Sequence, residues 1–216
     1  MSTTTIHVFN ANGIRDYSRD VRYSNGWTAP VLWRTLWQKY LAERGTPNSF
    51  STRGCYIGSD GFETLPMQGP LMGELCKLHE DPRLAWFERV ALRSTFDHVV
   101  VRRGDFIRVA EAFDAFTVAH VAPDAKHVWH VPAYAKLLRE LANDETVSAV
   151  GWTQTSVSDM FRSRRRTEDE LAEDELAESE PYNLNTRDEH FVMELVGEEA
   201  RVLIDAGIVR PNPNVE

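Results

Sequence analysis

Apolar residues recur along this chain with two periods, and the changes between them mark out its elements. Trp33, Leu36, Trp37, Tyr40 and Leu41 fall at i, i+3, i+4, i+7 and i+8, one stripe of a helix, with Arg34, Gln38 and Lys39 on the other side. Thr28 is placed to cap this helix, and Pro30 suits a first turn, where its missing N–H would have no partner anyway. Gly45 suits its stop. Helical spacing returns at Leu71, Leu75 and Leu78. It returns again at Leu84, Phe87 and Ala91, where Asp81 reads as the cap and Pro82 as the first position. Phe106, Val109, Ala110, Phe113 and Phe116 follow Gly104-Asp105 on one face, with Asp105 as cap, and Leu137, Leu138 and Leu141 follow Val131-Pro132. Near the C-terminus Thr186 and Glu189 have capping-box spacing ahead of Phe191, Val192, Leu195 and Val196, which predicts a helix. Val202, Leu203 and Ala206 extend it to Gly207.

The other period is that of strands. Ile6, Val8 and Phe9 predict a first strand ended by the turn Asn12-Gly13. The β-branched run 98–101 suits a strand buried on both faces. Residues 147–157 read as a strand with Val150 and Trp152 on one face, and shorter strands are predicted at 55–57 and 118–121. Residues 15–27, RDYSRDVRYSNGW, read as a long loop. Strand and helix alternate, so the expected fold is α/β (or α+β), a central mixed sheet with flanking helices. Residues 1–160 form the domain, 161–183 a charged, flexible excursion, and 184–216 a C-terminal helical segment that packs back on it.

Charge sharpens the middle of that division. Arg162, Arg164, Arg165 and Arg166 are followed by Glu168, Asp169, Glu170, Glu173, Asp174, Glu175, Glu178 and Glu180, with EDELA written twice in tandem. Such a stretch buries too little apolar area to offset its ordering entropy unless it is an exposed helix, for which Thr167 and Glu170 have the capping spacing. The arginines and the acids are also placed to pair with each other. Over the whole chain 24 Lys+Arg face 33 Asp+Glu, a net charge of −9, which excludes a surface given over to phosphate backbones. The acids beside RSRRR cancel most of its field within a Debye length of about 8 Å, so nucleic acid is not the favoured partner.

Apolar content of 42%, with 12 Gly and 10 Pro among 216 residues, excludes collagen-like and wholly disordered chains. No apolar run approaches the roughly 20 residues of a membrane helix, and MSTTTIHVFNANG has no basic segment or long apolar core, so neither membrane insertion nor secretion is expected. Cys55 and Cys76 form no CxxC pattern and read as reduced thiols of a cytoplasmic protein. Cys76 with His79 on one helical face reads as packing, not as an activated nucleophile.

Candidate chemistry is sparse. His120, Asp124, His127 and His130 offer imidazole and carboxylate within 11 residues, the ligand types of zinc, but HVWH lacks the glutamate of HExxH. A strand through Val128 and Val131 would also turn His127 and His130 to opposite faces. Asp16, Asp60, Asp97, Asp105 and Asp159 lie near predicted element ends, where a carboxylate pair could hold Mg²⁺, though caps and turns use acids at the same places. GSDG is not a dinucleotide fingerprint, GxxxxGK[ST] and GxSxG do not occur, and RGD at 103–105 reads as a turn. No metal or cofactor is expected. Of six tryptophans, Trp33 and Trp37 belong to a core stripe, whereas Trp27 sits in the polar loop with Arg15, Tyr17, Arg22 and Tyr23, the residue types that interfaces use. The expected function is therefore a non-enzymatic, acidic protein-binding module, such as an inhibitor, immunity or phage accessory protein, with those five residues contacting a protein partner. A metal-dependent hydrolase or nuclease is the alternative, and a nucleic-acid-binding protein the second.

Overall fold

The computed structural model describes residues 3–24, 28–42, 55–58, 61–64, 78–96, 99–120, 131–153, 161, 164–165, 179–187 and 190–193. Within them the strands are β1 (Thr3–Asn10), β2 (Val21–Ser24), β3 (Cys55–Gly58), β4 (Gly61–Thr64), β5 (Val99–Arg102), β6 (Val147–Thr153), β7 (Arg164–Arg165), β8 (Ser179–Glu180) and β9 (Phe191–Met193). The helices are α1 (Thr28–Tyr40), α2 (Trp86–Ser94), α3 (Phe106–His120) and α4 (Val131–Ala142).

Alternation along the strands sorts side chains between two faces of a five-stranded sheet ordered β2-β1-β6-β5-β9. Its pairs are antiparallel except β5 with β9, so the sheet is mixed, as the sequence predicts. Ile6, Val8, Val99, Val101, Val150, Trp152 and Met193 belong to the main core, with the apolar stripes of the four helices. The predicted stripes hold: Trp33, Leu36 and Trp37 of α1 and all five named apolar residues of α3 are fully buried. Phe9, Val100 and Ala149 point the other way and pack with Phe161, Tyr182 and Leu184 in a second, smaller cluster. β5 is thus buried on both faces, as its continuous run of valines requires.

Several boundaries depart from expectation. Within 15–27 a 3₁₀ turn at Tyr17–Arg19 leads into β2, which pairs with β1 from Thr3↔Ser24 to Ile6↔Val21. Residues 118–120, expected to start a strand, continue α3, and Val118 stands 86% exposed on it. α2 starts at Trp86 rather than at Pro82. Asp81 instead closes a turn by accepting from the Arg83 N–H, while the Ala85 N–H is taken by the Glu88 carboxylate. Residues 191–193, expected to be helical, form β9, because Val99, Val100 and Val101 offer an unsatisfied strand edge to pair with.

The excursion is tied at both ends. Arg164 pairs with Glu180 and Arg165 with Ser179 in an antiparallel ladder, flanked by Phe161 and Tyr182, whose rings meet edge-on at 5.2 Å. The predicted strand at 55–57 is present as β3 and pairs with β4. The features read at Gly45, Leu71, Leu75, Cys76, Thr167 and from Leu195 to the C-terminus lie outside the described residues.

Candidate functional site

The second face of the sheet carries a buried polar cluster. His7 lies on the outward side of β1, with Nδ1 3.2 Å from Asp20 Oδ2 and Nε2 2.8 Å from Thr153 Oγ1. Asp20 ends the 3₁₀ turn and also accepts from Arg15, at 2.5 Å from Nη2 and 3.2 Å from Nε. Arg15 Nη1 donates to the Phe161 carbonyl at 2.6 Å. Burial pushes the Asp20 carboxyl up, but hydrogen bonds from His7 and Arg15 outweigh it and hold the group below its ordinary range. Hydroxyl, imidazole and carboxylate stand in the order of a hydrolytic relay. Their burial argues otherwise: the side chains of His7 and Asp20 are 1% and 4% exposed, and the Phe161 ring lies 5.3 Å from the imidazole. With Arg15 spanning Asp20, the cluster is a clamp that fastens residues 14–24 to the sheet.

The arm so fastened is rigid at several further points. Asp16 caps its 3₁₀ turn through the Ser18 N–H, and Arg19 Nη2 reaches Asp144 at 2.6 Å. Hydrogen bonds from Thr146 and Arg19 bring the Asp144 carboxyl down to about 2. On this arm the five expected contact residues separate. Arg15 is buried, and its guanidinium lies 4.2 Å from the Tyr17 ring centroid. Tyr17 itself is 47% exposed. Tyr23 turns inward, meeting the Tyr134 ring edge-on at 4.9 Å. Arg22 is exposed on β2 and, among the described residues, makes no hydrogen bond or ion pair. Trp27 lies outside the described residues.

A second polar hub joins the helices. Glu88, fully buried in the first turn of α2, accepts from Lys39 Nζ at 2.7 Å, Tyr40 Oη at 2.5 Å, His120 Nε2 at 2.7 Å and the Ala85 N–H at 2.8 Å. Burial raises its pKa, and these bonds together carry it below the ordinary glutamate value. His120, the first of the four candidate zinc ligands, is committed here, while Asp124, His127 and His130 lie outside the described residues. Among the described residues no group of three or more His, Cys, Asp or Glu is placed to hold a metal ion. Of the candidate carboxylates, Asp16 caps a turn and Asp105 closes the 3₁₀ turn at RGD, and Asp60, Asp97 and Asp159 lie outside the described residues.

Sequence reasoning missed His7, Asp20, Thr153 and Glu88. His7 and Thr153 are 146 positions apart and meet only through β1–β6 pairing. Glu88 had a weak signal, its position three residues into a helix, where a carboxylate reaches back to the preceding N–H.

The fold and these sites define a mixed-sheet α/β protein with helices packed on one face and a clamped arm on the other. Compared with protein-family models, curated proteins and solved structures, the chain matches none. Among the described residues no helix is long and apolar enough to cross a membrane.

Proposed function

We propose that the chain is a non-enzymatic protein-binding module whose arm, residues 14–24, receives an extended acidic segment of a partner protein along β2. The observation that carries this reading is Tyr17: a large aromatic, 47% exposed, on an arm held by the Arg15–Asp20–His7 clamp. A contact surface ordered in advance loses little entropy on binding. β2 is the last strand of the sheet on its side and is paired with β1 alone among the described residues. An extended segment adds to such an edge through main-chain hydrogen bonds. Arg22, exposed on that strand, supplies the charge that selects an acidic segment and speeds its approach.

The test is a selection of peptides from a random library displayed on phage against the full chain. Extended, acidic sequences are expected, and Tyr17→Ala and Arg22→Glu should each weaken their binding about tenfold without lowering the melting temperature. Failure of the selected sequences to converge, or equal binding by the Tyr17→Ala/Arg22→Glu protein, overturns the proposal.

A further inference from the structure

On the sheet face away from the helices a cleft of about 180 Å³ opens beside β5. β1, β5 and β9 run in the same direction, since β6 is antiparallel to both β1 and β5, and β9 is parallel to β5. The cleft lies at the carboxyl ends of this set: Arg102 is the last residue of β5, and Ala11 and Gly13 follow the last residue of β1.

Its wall is built before any ligand arrives. Gly13, at φ 74°, takes a conformation that favours glycine, and a Cβ there would stand 2.9 Å from Asn185 Nδ2. Asn185 Nδ2 donates to the Asn12 carbonyl at 2.7 Å, and the Leu184 N–H to the Gly13 carbonyl at 2.9 Å. The 10–14 turn and the 184–185 segment are thus stapled together. Val192 and Leu184, both half-buried, supply the cleft with accessible apolar surface, while Val100 and Ala149 are buried. Arg102 stands at its margin, exposed and without a hydrogen bond or ion pair among the described residues, and no described lining residue is acidic. A planar guanidinium fork matches a carboxylate in two parallel hydrogen bonds. The volume falls below that of drug-sized sites, roughly 300–1,000 Å³.

From these observations we infer that the cleft is a binding site for a small organic carboxylate, its charged end on Arg102 and its apolar body on Val192 and Leu184. This site is independent of the arm surface.

The test follows backbone amides of the ¹⁵N-labelled full chain while benzoate, hexanoate, their neutral amides and inorganic phosphate are added separately. The carboxylates should shift the amides of Gly13, Ala149 and Val192, and their neutral amides should not. Arg102→Gln should weaken carboxylate binding about tenfold or more, as expected for loss of a charge-assisted pair. Ala11→Trp, at an exposed wall position, should block the cleft while the melting temperature is kept. Equal response to the neutral amides, no response to any probe, or binding unchanged in both variants overturns the inference. A response to phosphate alone also overturns it, by reducing the site to an inorganic anion on one arginine.

Discussion

Glu88 shows how one side chain can hold several elements. Its two oxygens accept four hydrogen bonds, drawn from α1, α3 and the N-cap of its own helix. Replacing it with alanine takes the acceptor from the His120 imidazole and the Ala85 N–H, both partly buried, and leaves the buried Tyr40 hydroxyl only the Arg83 carbonyl at 3.2 Å. Glu88→Ala should therefore cost about 3 kcal/mol in urea unfolding at pH 7, with the half-exposed Lys39 contributing little. The sign of the pH dependence follows from the lowered pKa. The stabilisation is complete above the unfolded value, near 4.5, and is lost as pH falls through the lower folded value. Asp20, also lowered, acts in the same direction below about 3.8. Glu88→Gln keeps the shape but not the charge, so its stability should fall less steeply from pH 5 to pH 3 than that of the natural protein. Parallel slopes for the two proteins would remove Glu88 from the acid response. The cluster at His7 obeys the same rule of saturated partners, which is why we read both as architecture rather than chemistry.

At the scale of elements, the second sheet face depends on a close approach. A Cβ at Gly151, in the central strand β6, would lie 2.7 Å from two ring atoms of Phe161, which is fully buried. Gly151→Ala should cost about 1–3 kcal/mol through this overpacking, and Phe161→Ala about 3–5 kcal/mol through the cavity it leaves. In the Phe161→Ala background the alanine at 151 meets no ring, so its cost should vanish. Additive losses in that cycle would show that the two sites are uncoupled. The long elements were legible in the sequence because a stripe such as that of α3 repeats over about three turns. Of the short ones, β3 and β5 were read and β2 and β9 were not. β2 offers only Val21 and Tyr23 as inward residues, too few to show a period. Phe191 and Val192 fit a helix with Leu195 and Val196 as well as a strand, and the deciding fact is the open edge of β5, distant in sequence. Val118 is β-branched, yet α3 runs past it to bring His120 to Glu88. The polar clusters escaped for the same reason: long-range pairing assembles them, and no local spacing encodes it. The arm was legible in composition, but which of its residues turn outward was decided by β1–β2 pairing.

For the whole molecule, the open question is what the acidic repeat contributes. Phe161 and Tyr182, packed together on the sheet's second face, flank the excursion, and the ladder of β7 with β8 closes it at its neck. What is anchored there is the neck, so the length of chain between Arg165 and Ser179 carries only a small entropic cost. Shortening a loop from 13 residues to a few recovers about 1 kcal/mol. Arg165 and Ser179 already face each other, so Asn-Gly can join them as a two-residue hairpin turn. Replacing 166–178 in this way removes one arginine and seven acids and takes the net charge from −9 to −3, which also relieves self-repulsion. The shortened chain should unfold in urea at the same or a slightly higher concentration, and it should bind the peptides selected on the natural protein with unchanged affinity, because their proposed site is the arm. A fall of several kcal/mol in stability would mean that the repeat packs on the fold. Lost peptide binding at unchanged stability would move the contact surface from Tyr17 and Arg22 to the acids themselves. Its salt dependence would then identify a basic partner, because attraction between exposed charges weakens as the Debye length shortens.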